Sequence, residues 1–454
     1  MSNQNLLKKW VNLILYLMGF FSTFYIIRIK SFQLTTLLAF VCIMSVCFLK
    51  QKINLINVNR LFLAFIISVI ATSFLNLFLP MEDTYKIKVS IVALIELFIL
   101  YLSAEQIKQL DKYSISKLIS GLRMSCYIHI IWCLLQFVAY NFFEIDINQI
   151  IFGDLLHMSN GDYGVSRYEA GRLVISGLCW HPINLAPTLA LSVLLLNKWY
   201  VWFAAFFIAF YSDNSTTMVV LATVFVLCLL TVFKGKISKV IKSLQNPKVF
   251  FKIFIILFIS VLILIQLIPL IQKSFNGILD RVQNTNDSST QAHIQYYTAW
   301  PMIARKQNII ELLFGCGLGR SGAFFTRFFN QYTFIDYWSV ESDPMNYLYA
   351  AGLIGFLLFY SWLIVLIVKA RKISIKYVIF LLSIIAGGIT YGMQFPWVIN
   401  LELMIGVCVC KNIDIFENTD MIKSGKLLYL YDFGLKDYNL KFIKQNGEYN
   451  GIKH

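Results

Sequence analysis

The chain is written as long apolar runs separated by short polar stretches. Runs approaching the length of a membrane span lie at about 11–27, 32–49, 61–80, 88–103, 118–140, 173–196, 199–212, 216–233, 249–272, 346–369, 376–393 and 394–411. An α-helix rises about 1.5 Å per residue, so about 20 mostly apolar residues cross a bilayer core. The pattern therefore predicts an all-α polytopic membrane protein of about twelve transmembrane helices. The seventh run and the last two are short or closely spaced. Lys8 and Lys9 precede the first run, and no small-residue cleavage site follows before Arg28, so the first run reads as an uncleaved helix.

The polar stretches set an orientation. Lys50, Lys52 and Arg60 fall between the second and third runs. Lys108, Lys112, Lys117 and Arg123 come next on the same side, then Lys234–Lys248, then Lys369–Lys376. The alternate turn at Pro80–Tyr85 carries Glu82 and Asp83 instead. Cytoplasmic loops carry the excess of lysine and arginine, so both termini are expected inside. Only Arg28–Lys30 breaks this pattern. Two long loops fall outside, at about 141–172 and 274–345. Long loops that lack structure of their own are commonly functional. The expected organisation is a transmembrane domain over 1–410 and a cytoplasmic tail over 411–454.

Composition agrees with this reading. The chain is 58% hydrophobic and 14% charged, with mean hydropathy +0.68. A soluble domain keeps about a quarter of its residues charged. The formal charge of +15 belongs to the cytoplasmic loops and gives no case for nucleic acid. The nine cysteines show no paired or metal-binding spacing. Cys179 and Cys316 alone fall near the outer side.

Arginine placement points to chemistry. Of ten arginines, Arg167, Arg172, Arg281, Arg305, Arg320 and Arg327 lie in the two outer loops, where positive charge is disfavoured. A planar guanidinium binds phosphate in bidentate fashion and stays charged, so a diphosphate ligand would explain the set. Salt bridges to Asp162, Glu169, Asp280 and Asp336 are the alternative. The stretch Phe314–Arg320 is glycine-rich, which lets the backbone approach a ligand or simply turn. Glu341 and Asp343 stand before a long apolar run, and Pro344 favours a helix start there, with Asp343 as a possible N-cap. A carboxylate at a partly desolvated mouth can act as a general base. His181, Asn184 and His293 are further candidate substrate contacts. Pro182 and Pro187 predict a broken helix entry around His181 and Asn184. Glu96, His129 and Glu402 fall inside runs, where ionisable groups are costly and hint at function; hydrogen bonds between helices are the plainer reading.

These residues carry a resemblance. The segments GRLVISGLCWHPINLAP (171–187), LLFGCGLGR (312–320) and VESDPMNYLYAAGLIGFLLFY (340–360), with a large late outer loop, resemble the Wzy-type O-antigen polymerases of the O-antigen ligase/polymerase superfamily. The resemblance covers roughly 165–370. It implies a metal- and cofactor-independent, GT-C-like glycosyltransferase of a bacterial inner or plasma membrane. Such an enzyme joins undecaprenyl-diphosphate-linked repeat units for an O-antigen, capsule or exopolysaccharide at the outer face. It implies diphosphate binding by Arg172, Arg305, Arg320 and Arg327, with Arg167 as a further contact, and a base at Glu341 or Asp343. A flippase and a chain-length regulator of the same pathway are implied partners. Ligases carry a histidine near this late position, where the acids stand here, which favours polymerase. Relatives often carry arginine near His293, and in the stretch SDNSTT (212–217) too, and this chain does not. A ligase to another acceptor is the first alternative. A lipid-linked oligosaccharide flippase is the second, although its outer loops should be short.

Overall fold

The computed structural model describes residues 3–29, 32–53, 59–77, 84–158, 165–169, 172–179, 181–212, 214–244, 294–322, 340–392 and 396–416. These are mostly helical. In chain order the helices are α1 (Asn3–Phe21), α2 (Leu34–Lys50), α3 (Arg60–Leu77), α4 (Thr84–Ile107), α5 (Lys112–Phe143), α6 (Leu185–Leu196), α7 (Trp199–Tyr211) and α8 (Ser215–Leu244). Then follow α9 (Trp300–Lys306), α10 (Ile309–Phe314), α11 (Asp343–Ala370), α12 (Ile375–Thr390) and α13 (Pro396–Cys410). The described strands form two antiparallel hairpins, β1 (Arg28–Ile29) with β2 (Phe32–Gln33), and β3 (Arg167–Glu169) with β4 (Arg172–Val174).

Each predicted run within the described residues meets a helix, and the run at 249–272 lies outside them. By length and composition, α5 and α11 are the two described helices long and apolar enough to cross a membrane, and several shorter helices are also apolar. Large apolar side chains stay on the surface, including Phe48 at 69% and Phe203 at 73% exposure.

Two expectations need correction. The run 173–196 is not one helix. Its first part is strand β4 and two 3-10 turns, Gly177–Cys179 and Pro182–Asn184, and α6 starts only at Leu185. Pro182 lacks the N–H a continuous helix would need, whereas Pro187 sits in the first turn of α6, where no intrahelical partner is required. The loop at 141–172 also has structure of its own, a π-helical turn at Gln149–Leu155 and most of the β3–β4 hairpin.

Local chemistry explains the ends and crossings. Asp111 caps α5 by accepting from the Ser114 N–H at 2.8 Å, and its other oxygen takes the Lys8 ammonium of α1 at 2.7 Å. Gly19 and Gly121 bring α1 and α5 together. A Cβ on Gly19 would lie 2.1 Å from the Leu118 carbonyl oxygen, and one on Gly121 would lie 2.1 Å from that of Tyr16. Phe62, Phe65, Tyr101, Tyr347, Phe359 and Trp362 pack α3, α4 and α11 around one aromatic centre. There the Phe62–Trp362 and Tyr347–Phe359 ring centroids are each 4.3 Å apart.

Arg28, the exception to the charge pattern of the loops, and Glu96, an acid inside an apolar run, explain each other. Arg28, on β1, lies within electrostatic reach of Glu96. Glu96 also accepts from the Gln33 N–H at 3.1 Å and the Thr36 hydroxyl at 3.2 Å. The first six residues after α13 pack into the bundle as well. Ile413, Ile415 and Phe416 are buried, Tyr377 donates to the Ile413 carbonyl at 2.6 Å, and Arg123 donates to that of Ile415.

Candidate functional site

The β3–β4 register pairs Arg167 with Val174 and Glu169 with Arg172. It carries Arg167 to His181, whose Nε2 faces the guanidinium. On its other side His181 heads the 3-10 turn, with Nδ1 accepting from the Ile183 N–H at 3.3 Å. Burial, then the Arg167 charge, push the His181 pKa down to about 3. The ring is therefore neutral near pH 7. A neutral ring has a single acceptor nitrogen, so His181 lies against Arg167 as an uncharged polar neighbour rather than as a second cation.

Arg167 also reaches the other end of the site. Its charge acts on Glu341, so the first long loop and the carboxylate before α11 share one place. Glu341 is partly buried, and Oε1 accepts from the Tyr391 hydroxyl at 2.8 Å. Burial raises the Glu341 pKa, outweighing the opposing Tyr391 hydrogen bond and Arg167 charge. A carboxylate poised this way is a stronger base than an exposed one.

The segment around Glu341 is pinned by hydroxyls. Ser321 accepts from the Val340 N–H at 2.9 Å and donates to the Asn346 side-chain oxygen. Tyr297 donates to the Ile389 carbonyl at 2.8 Å and bonds the Ser342 hydroxyl at 2.6 Å. Tyr297 and Tyr391 thus tie residues 341–342 to the end of α12.

Asp343 differs from its expected part. The N-cap of α11 is Ser342, which makes no side-chain cap hydrogen bond, and Asp343 is the first helical residue. It is 1% exposed and lies against α12, where a Cβ on Gly388 would come within 2.4 Å of its Oδ2. Glu341 is partly exposed, whereas Asp343 is buried.

The glycine-rich stretch serves backbone contact. Gly315, Gly317 and Gly319 all have positive φ (78°, 96° and 73°). The Cys316 N–H donates to the Tyr349 carbonyl at 3.0 Å, and the Gly317 N–H to that of Ala350 at 2.7 Å. Those carbonyls are available because α11 is broken at Gly352, whose φ is 65° and ψ −174°. A Cβ on Gly315 or on Gly352 would lie 2.5 Å from the other's backbone. Gly352 therefore interrupts α11. Beyond this lock Arg320 is 4% exposed, and burial pulls its pKa down.

The remaining candidates scatter. Arg305 is exposed on the last turn of α9, where a cation complements the helix dipole. Asn184 is buried, and its backbone carbonyl accepts from Cys179 and Thr188. Arg172 is placed by its backbone in β4. Arg281, His293 and Arg327 lie outside the described residues. Cys179 and Cys316 form no disulfide with each other and sit in different apolar clusters. Among the described residues no group of three or more His, Cys, Asp or Glu is placed to hold a metal. Tyr391, Tyr297 and Ser321 went unnoticed in the sequence, since a tyrosine or serine beside an apolar run carries no distinguishing spacing. No family model matches the chain, and no curated protein matches it.

Proposed function

We propose that this chain is a multi-pass enzyme of a bacterial inner or plasma membrane that polymerises polysaccharide repeat units, similar to the Wzy-type O-antigen polymerases. Its substrates are undecaprenyl-diphosphate-linked oligosaccharides, used at the outer face, and both termini lie in the cytoplasm. The observation that carries the reading is the convergence of Arg167 and Glu341 from two loops far apart in sequence. A cation within electrostatic reach of a base is what sugar transfer from a diphosphate carrier requires.

In this reading Glu341 takes the proton from an acceptor sugar hydroxyl as its oxygen attacks the donor's anomeric carbon. The bond from that carbon to the diphosphate oxygen breaks, and the electron pair leaves with undecaprenyl diphosphate. Arg167, beside His181, neutralises the growing negative charge, with Arg172 and Arg320 as further phosphate-binding candidates. Glu341 then returns its proton to water. Of the two acids Glu341 is the one an acceptor hydroxyl can reach, since it is partly exposed where Asp343 is buried.

The test is the product ladder made from lipid-linked repeat units. Glu341→Gln and Arg167→Ala should each lower formation of long chains by about 10²–10⁴-fold, the usual worth of a general base or an electrostatic donor. Single-unit product and protein level should persist. Normal chain lengths in both variants would overturn the assignment.

A further inference from the structure

The loop after α5 holds a carboxylate that the proposed reaction does not use. Asp146 follows the end of α5 and precedes the π-helical turn at Gln149–Leu155. Its Oδ1 accepts from the Gln149 N–H at 3.0 Å and from the Ser166 hydroxyl at 2.8 Å. Its Oδ2 accepts from the Tyr168 hydroxyl at 2.6 Å. Ser166, which leads into β3, and Tyr168, within it, are the two chain neighbours of Arg167. Side chains alternate between the two faces of a strand. A carboxylate that holds Ser166 and Tyr168 together on one face leaves Arg167 on the other, where its guanidinium meets His181.

The histidine side of this contact is held from the same loop. Asn148 is 0% exposed. Its Oδ1 accepts from the Trp132 indole of α5 at 2.8 Å, and its Nδ2 donates to the Gly177 carbonyl at 2.9 Å. The Gln136 side-chain oxygen, also on α5, accepts from the Gly177 N–H at 3.0 Å. Gly177 opens the 3-10 turn that leads to His181, whose N–H donates back to the Cys179 carbonyl. Residues 146 and 148 thus tie both partners of the Arg167–His181 contact to the end of α5.

We propose that Asp146 is the positioning residue for Arg167. The inference rests on the reading of Arg167 as the cation of the proposed reaction. Two of the bonds at Asp146 are open to water, and such bonds add modestly to stability. Their work is aim. A misplacement of about 1 Å at a reacting centre costs about a hundredfold in rate, so hydroxyl ties remote from the sugar govern how well Arg167 meets the leaving diphosphate.

The test has two readouts. The first needs no glycan. Full-length protein in detergent is treated with phenylglyoxal, an arginine reagent, and labelling at each arginine is read by mass spectrometry. Asp146→Ala should raise the labelling rate of Arg167 several-fold and leave that of Arg305, exposed on α9, unchanged. Tyr168→Phe removes one hydroxyl and keeps the ring. It should act in the same direction to a smaller degree, and it carries the test if Asp146→Ala does not fold. The second readout is chain formation from lipid-linked repeat units. Asp146→Ala should lower it about tenfold to a hundredfold in the wild-type background. In Arg167→Ala the same change should cost less than about twofold, because a residue that acts through Arg167 has nothing left to place. An equal loss in both backgrounds would mark a purely structural role and overturn the proposal. So would Arg167 labelling that neither Asp146→Ala nor Tyr168→Phe moves. A wild type that builds no chains refutes the proposed function instead, and the labelling still decides whether Asp146 places Arg167.

Discussion

Glu341 shows how much a single side chain owes to its neighbours. Burial raises its pKa, while the Tyr391 hydroxyl and the Arg167 charge pull it back. A general base works in its ionised form, so the rate should rise with pH through that pKa. Tyr391→Phe removes a bond that favours the carboxylate. The acid limb of the activity profile should therefore move to higher pH, with little loss at its plateau. An unmoved limb, with the chain folded, would mean that Tyr391 does not tune Glu341. His181 gives the complementary case. Held at about pKa 3, it should leave no titration in the neutral range, and any histidine-like limb there would contradict its place beside Arg167.

At the scale of elements, the contact between the glycine-rich stretch and the break in α11 holds the late loop onto the helices. Two carbonyls freed at Gly352 are satisfied by the N–H groups of Cys316 and Gly317, which answers the cost of breaking a helix inside an apolar bundle. Alanine substitutions test it in series. Gly317→Ala has room, since its Cβ would lie 3.4 Å from the Ser73 hydroxyl, and should cost about 1–3 kcal/mol through its positive φ alone. Gly315→Ala and Gly352→Ala add a backbone clash at 2.5 Å and should lower Tm further, or abolish accumulation of the folded chain. Equal Tm values across the three would show that the backbones do not meet.

At the scale of the whole molecule, apolar surface is the dominant feature. Phe48, Phe203, Leu357 and Ile364 are all more than half exposed, on three helices, and water does not tolerate such a surface as one extended coat. On expression in bacteria the chain should sediment with membranes, resist alkaline carbonate and be released by detergent. Recovery in the soluble fraction would refute the multi-pass reading.

The sequence alone determined the helical runs, the apolar character of the surface and the position of Glu341 before α11. These follow from local composition and periodicity, which a linear chain displays directly. It also marked the loop arginines and the acids inside the runs, but could not say which of them meet. That Arg167 rather than Arg305 reaches Glu341, that Arg28 answers Glu96, and that Gly315 locks into Gly352 was decided by tertiary structure. So were the burial of Asp343 against α12 and the service of Tyr391. Each is a contact between residues distant in the chain, made by helix crossings and loop returns that no local pattern encodes. The physical reason is the same throughout: a charged or polar group buried among apolar helices must find its partner in space, and only the packed fold determines what lies within its reach.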